Sequence, residues 1–138
     1  MSEELFPRIQ LVYEAVEVGD FDAAIKAAEP LDPEIIWVPP PDVPDTQHVY
    51  RGREAMKNRM IEINEPFENR ESELVEFIEA GNRAFAHARL KGHGKGSKAP
   101  IVGDLYQVIT TREPSATIIR VENFLDRAQA LEAAGLSD

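Results

Sequence analysis

His87 is the side chain of this sequence best suited to proton transfer near neutral pH. It falls in an alternating run from Arg83 to Lys91, where Phe85, His87 and Arg89 share one face and Ala84, Ala86, Ala88 and Leu90 the other. If the small-residue face is buried, His87 is a partly exposed structural residue; if its own face is buried, it is a candidate acid or base. Further on, alternation groups Asp104 with Tyr106 and Val108, and Arg120 with Glu122 and Phe124. These polar members either converge on a cavity, or face water or a partner chain while Leu105, Ile109, Ile119 and Val121 pack inward. A period of two does not choose between the faces. Asp42, Asp45 and His48 bring two carboxylates and an imidazole beside Trp37, as a lip over whatever that residue borders. They lack a third ligand at helix or hairpin spacing, so no metal is expected. The stretch from Gly92 to Lys98 is glycine-rich, but a strand follows it. An anion-binding glycine loop feeds a helix N-terminus instead, so this stretch is expected to be a hairpin tip.

The elements that must hold these residues follow from periodicity. Ile9, Val12, Tyr13 and Val16 recur at helical spacing, predicting a helix from Pro7 to Val18 that Gly19 ends. Asp20 or Asp22 caps a second helix through Ala28, stopped by Pro30. Ile35-Ile36-Trp37-Val38 is a strand that the prolines from Pro39 must end. Gly52 precedes a third helix, Arg53 to Asn64, with Met56, Met60 and Ile63 on one face. That stripe is core packing in most such helices, with a ligand-facing Met60 as the other reading. From Glu71 the period becomes two, predicting strands near 72–79, 83–91, 100–112 and 116–124 joined by short turns, hence an antiparallel meander. A last short helix follows Asp126, a good N-cap residue, and ends at Gly135. This order predicts an α+β domain with its helices on one face of a strongly curved, mostly antiparallel sheet.

The 138 residues, 43% hydrophobic and 29% charged, suit one domain, 1–138, able to bury roughly two-thirds of its unfolded surface. A net charge of −10 repels phosphate backbones and anionic bilayers, so neither nucleic acid nor membrane is an expected partner. Zero cysteines exclude disulfides, thiolate metal sites and a cysteine nucleophile. The acidic start, Met1 to Leu5, has no apolar signal region, and a cytoplasmic protein is expected.

Several stretches, in this order, resemble the SnoaL-like branch of the NTF2-like superfamily, which includes polyketide cyclases and ketosteroid isomerases. They are Tyr13-Glu14-Ala15 leading to Gly19-Asp20-Phe21, Asp32 to Trp37, Tyr50 to Ala55, and Ile118 to Asp126 followed by Ala130 to Leu136. The resemblance implies a cone-shaped α+β barrel half closed by three N-terminal-half helices, with a short C-terminal helix. It also implies a homodimer through the sheet and a small apolar ligand bound without a cofactor. The isomerase base would fall at Trp37, which cannot accept a proton, so isomerase chemistry of that type is set aside. The cyclase acid/base aspartate aligns with Asp126, where one carboxyl of raised pKa can take and return a proton; a plain helix cap is the competing role. His87 is the second catalytic candidate. With one Trp, three Tyr and six Phe the chain has few rings to plug the cone. Tyr13, Trp37, Tyr50, Met60, Tyr106, Glu122 and Phe124 are the expected pocket lining, with Trp37 either stacking on a flat ligand or serving as core.

Overall fold

A computed structural model describes residues 2–41 and 49–136, with side chains from Leu5 onward. The element order is α1 (Ser2–Glu17), α2 (Phe21–Ala28), β1 (Leu31–Val38), β2 (Tyr50–Arg51), α3 (Arg53–Asn64), β3 (Phe67–Ala80), β4 (Arg83–Gly94), β5 (Pro100–Arg112), β6 (Thr117–Phe124) and α4 (Arg127–Ala133). The lip proposed at Asp42, Asp45 and His48 lies outside the described residues.

Helix α1 starts ahead of the expected Pro7, which sits inside it. A proline there removes one backbone bond, but Leu5 and Ile9 on either side are both buried and pin that turn to the core. Gly19, at φ 77°, turns the chain, and the Asp20 carboxylate caps α2 by accepting from the Ala23 N–H at 3.0 Å. Strand β4 runs on to Gly94, so the glycine-rich tip is shorter than expected.

The six strands form one sheet in the order β2-β1-β6-β5-β4-β3, antiparallel except for the parallel β1–β6 pair. This corrects the barrel expectation: the sheet stays open, because its edge strands β2 and β3 do not pair. The helices bridge the gap instead, α1 packing on β3 and α2, and α3 on α2, β1 and β2. Register shifts bend the sheet at Glu68/Glu71 and Leu74/Glu76 in β3, at Thr110/Thr111 in β5, and at Leu31/Ile36 in β1.

Two cores result, one on each face. On the concave face Leu5, Ile9, Ala24, Ile35, Met56 and Ile109 pack with α1–α3. On the other, Phe85 and Val108 pack under Ala130, Leu131 and Ala134 of α4. The expectation of three N-terminal-half helices on one face holds for α1–α3, and the short C-terminal helix α4 packs on the other face. Both faces of β4 are covered, since Ala84, Phe85 and Ala86 are all fully buried.

Candidate functional site

Between α1–α3 and the concave face lies a cavity of about 360 Å³. Its wall is aliphatic for the most part: Val12 and Val16 of α1, Ile25 of α2, Met56 and Met60 of α3, and Leu31, Trp37, Leu105, Ile109, Ile118 and Val121 of the sheet. On the same face Ala84, Ala86 and Ala88 stand opposite Ile109, Gln107 and Leu105 in the β4–β5 ladder; these alanines are fully buried, and it is the longer side chains of β5 that border the cavity. Ile118 rather than Ile119 reaches this wall, because the Thr110/Thr111 shift moves β6 by one residue against β5.

Polar groups occupy two places. At the deep end they form a chain with a fixed direction. Asn123, 3% exposed, donates through Nδ2 to the Val38 carbonyl at 2.8 Å. Since a backbone carbonyl only accepts, Asn123 must turn Oδ1 away from it, and that oxygen accepts from Gln107 Nε2 at 2.8 Å. Gln107 Oε1 then faces the Tyr13 hydroxyl, which donates to it at 2.5 Å. The Val38 carbonyl thus dictates the sense of every bond, and Tyr13 meets the cavity with an oxygen whose proton is already committed. Burial holds the Tyr13 phenol well above its ordinary pKa.

The second polar group lies at the open end, where Asn64, Arg70, Glu71, Ser72 and Lys91 border the cavity beside the exposed Ile63, Leu90 and Ile101. Glu17 of α1 also reaches this rim, and its carboxylate accepts from the Ser72 N–H at 2.6 Å. Asn64 spends its amide on the Met60 carbonyl.

Of the residues singled out in the sequence, Tyr13, Trp37 and Met60 border the cavity, while Tyr50, Tyr106, Glu122, Phe124, His87 and Asp126 do not. Tyr50 packs against the main core with the Arg59 guanidinium 5.6 Å from its ring centre. Tyr106 and Phe124 pack against the α4 cluster on the opposite face, and the Glu122 carboxylate lies 3.5 Å from Arg120. His87 shares that face: its Nε2 lies 2.8 Å from Asp104 Oδ1 and its ring 4.6 Å from that of Tyr106. The His87 and Arg89 contacts hold the Asp104 carboxyl below its ordinary pKa. Asp126 caps α4, its carboxylate accepting from the Ala128 N–H at 3.1 Å. The structure therefore brings His87 and Tyr106 together on the outer face, where Glu122 stands opposite Val108, and puts Asp126 at the start of α4. Gln107, Asn123 and Arg70 were not singled out. A signal existed for the first two, as amides at inward-facing positions in register with Leu105, Ile109 and Val121.

A curved, open sheet roofed by three helices over an apolar hollow defines a class of small α+β cone. The family model of the SnoaL-like domain matches residues 9–123, and the chain belongs to that family. No curated protein sequence matches it. Solved structures of similar fold include a candidate SnoaL-like polyketide cyclase from Jannaschia sp. CCS1, at 15% identity, 99% and 94% coverage of this chain and that one, and TM-score 0.72. An NTF2-like protein of unknown function from Burkholderia pseudomallei K96243 aligns at 16% identity, 94% and 95% coverage, and TM-score 0.70. A hypothetical protein with a ketosteroid isomerase-like fold from Catenulispora acidiphila DSM 44928, in complex with trimethylamine, aligns at 17% identity, 94% and 92% coverage, and TM-score 0.69. At these identities the likeness is one of fold.

Proposed function

We propose that this chain binds a small, largely apolar organic molecule of polyketide- or steroid-like flatness in the cavity between α1–α3 and the sheet. The observation that carries the reading is the hollow itself: about 360 Å³ walled by aliphatic side chains and Trp37, with its deep polar groups satisfied by one another. A hollow of this size and lining matches the general character of small-molecule sites. The Jannaschia structure, described as a candidate SnoaL-like polyketide cyclase, supports the ligand class by likeness of fold. In the catalytic form of the proposal, a cyclase, isomerase or lyase step proceeds by proton transfer through Asp126 and His87. The non-catalytic form, a dimeric binding module, is favoured by one specific observation: both residues sit off the cavity, one as a helix cap and one on the outer face.

The test is saturable binding of the neutral fluorophore N-phenyl-1-naphthylamine, read as blue-shifted emission. The wild-type chain should bind one equivalent. Leu105→Trp, which grows into the hollow from β5, should fold with unchanged cooperativity and lose the dye. Absence of saturable binding in the wild type, or undiminished binding in the variant, removes the proposal.

A further inference from the structure

Among the described residues that border the cavity, Arg70 is the one with a buried nitrogen left unspent. It borders the open end, and its Nη1 is buried with no hydrogen-bond partner among the described residues. Arg8 and Arg53 also leave a buried Nε unpaired, but each spends its other nitrogens on carbonyl oxygens or a carboxylate. Arg70 has no hydrogen bond or ion pair to any described residue; its one partner is the ring of Phe21, 5.8 Å from the guanidinium carbon. The two nearby carboxylates have other contacts. Glu17 accepts from the Ser72 backbone, and Glu71, exposed on β3, is in register with Lys91 rather than joined to Arg70. Burial lowers the Arg70 pKa from its ordinary value; a guanidinium keeps its charge in proteins, and this one is partly stripped of water.

The local backbone is shaped to hold it there. Asn69 and Arg70 together oppose Gly92, a bulge in which Asn69 takes φ 55°, a left-handed conformation that asparagine tolerates better than most residues. A Cβ at position 92 would be crowded, 3.2 Å from the Glu68 carbonyl oxygen and in ordinary contact, at 3.6 Å, with both Cα and Cγ of Arg70. The stem of Arg70 thus lies across the space that glycine leaves, with the Phe21 ring beneath its head. In a chain of net charge −10, a cation placed this way without a carboxylate is set for an external anion, because a planar guanidinium fork matches a carboxylate or sulfonate edge.

We propose that the ligand of this cavity is an organic acid, its apolar body against the Trp37 wall and its carboxylate or acidic enolate at the mouth on Arg70. This rests on the binding reading above and adds the head group. The test compares two dyes with the same aromatic body: 1-anilinonaphthalene-8-sulfonate, which carries an anion, and N-phenyl-1-naphthylamine, which does not. The two should compete for one site. Loss of one charge-assisted contact should cost about tenfold in affinity, so Arg70→Met should weaken the sulfonate by about that factor and change the neutral dye less than twofold. Arg70→Lys should restore part of the difference. Since Arg70 neutralises no carboxylate, both variants should unfold near the wild-type temperature. Should Arg70→Met fail to fold, the wild-type salt dependence decides: added salt should weaken the sulfonate and not the neutral dye. Binding of the neutral dye with no Arg70 or salt effect on the sulfonate overturns this inference alone. Binding of neither dye overturns the cavity reading together with it.

Discussion

The directed chain from Val38 to Tyr13 makes a quantitative claim about which of its links holds the fold. Asn123→Leu keeps the branching and heavy-atom count of the side chain and removes two hydrogen bonds, leaving the Val38 carbonyl and the Gln107 Nε2 group without these partners at a position 3% exposed. Each buried group left unsatisfied costs about 1–3 kcal/mol, so the variant should lose about 4 kcal/mol, a large part of the total for a domain of this size. Tyr13→Phe removes the last link only. The orphaned Gln107 oxygen then borders the cavity, where water can replace the phenol, and the cost should fall to about 1 kcal/mol. The assay is urea unfolding followed by far-ultraviolet circular dichroism and by the fluorescence of Trp37, the sole tryptophan. Slopes equal to wild type would show that the same surface is exposed. A Tyr13→Phe cost equal to or above that of Asn123→Leu would refute the reasoning, because it would mean that the cavity end of the chain is not the one solvent can reach.

Alkaline pH gives an independent check on Tyr13. Its pKa in the folded state is raised above the ordinary 10.0 by burial, so its share of stability is whole below the unfolded value and is lost as pH rises through the window above it. Tyr13→Phe should lose less stability than wild type above that value in unfolding midpoints taken against pH; parallel curves would contradict the buried phenol. Asp126→Ala should lower stability by about 1 kcal/mol through the cap, and Asp126→Asn should lose only a few tenths in the same thermal melt. A drop in turnover of any identified substrate in the Asn variant, with its melt unchanged, would favour the catalytic form of the proposal. Dimerisation through the sheet would use its outer face, where Val102 is 66% exposed on β5. Light scattering after size exclusion should give a dimer at micromolar concentration and a monomer for Val102→Glu; a wild-type monomer would remove that pairing.

The elements were legible because each carries its own period and its own stop. Asp20, Gly52, Asp126 and Gly135 punctuate the helices where capping chemistry places them, and the four long strands alternate. What the sequence does not carry is the phase of that alternation once a bulge intervenes. Ile119 was one of the residues expected to pack inward if the polar faces turned outward; the one-residue shift at Thr110/Thr111 gives the place to Ile118. The side of the sheet was equally hidden for His87 and Tyr106. Both faces of β4 are buried, one by α1–α3 and one by α4, so the small-residue argument that would expose His87 loses its premise. Arg70 escaped notice for the same reason, since only the geometry of Asn69 against Gly92 shows that it borders the cavity at all.

The two faces of the sheet also divide the labour of ionisation. Outside, titratable groups are paired: His87 and Arg89 with Asp104, and Arg127 with Glu76, whose pKa that guanidinium holds down. Carboxylates held low in this way are poor at taking a proton near neutral pH, because a general base works best with a pKa near the working pH. Inside, among the described residues, the cavity offers the Tyr13 oxygen, the Glu17 and Glu71 carboxylates and two cations. The Tyr13 proton is held by Gln107 Oε1, so a ligand there meets a hydrogen-bond acceptor. Turning that proton to a ligand would leave Gln107 Oε1 without its donor, whereas a ligand that donates to Tyr13 leaves every link of the chain in place. On the proposed reading, an apolar acid bound by its head group at the mouth would direct a hydroxyl or amine inward to the phenol oxygen.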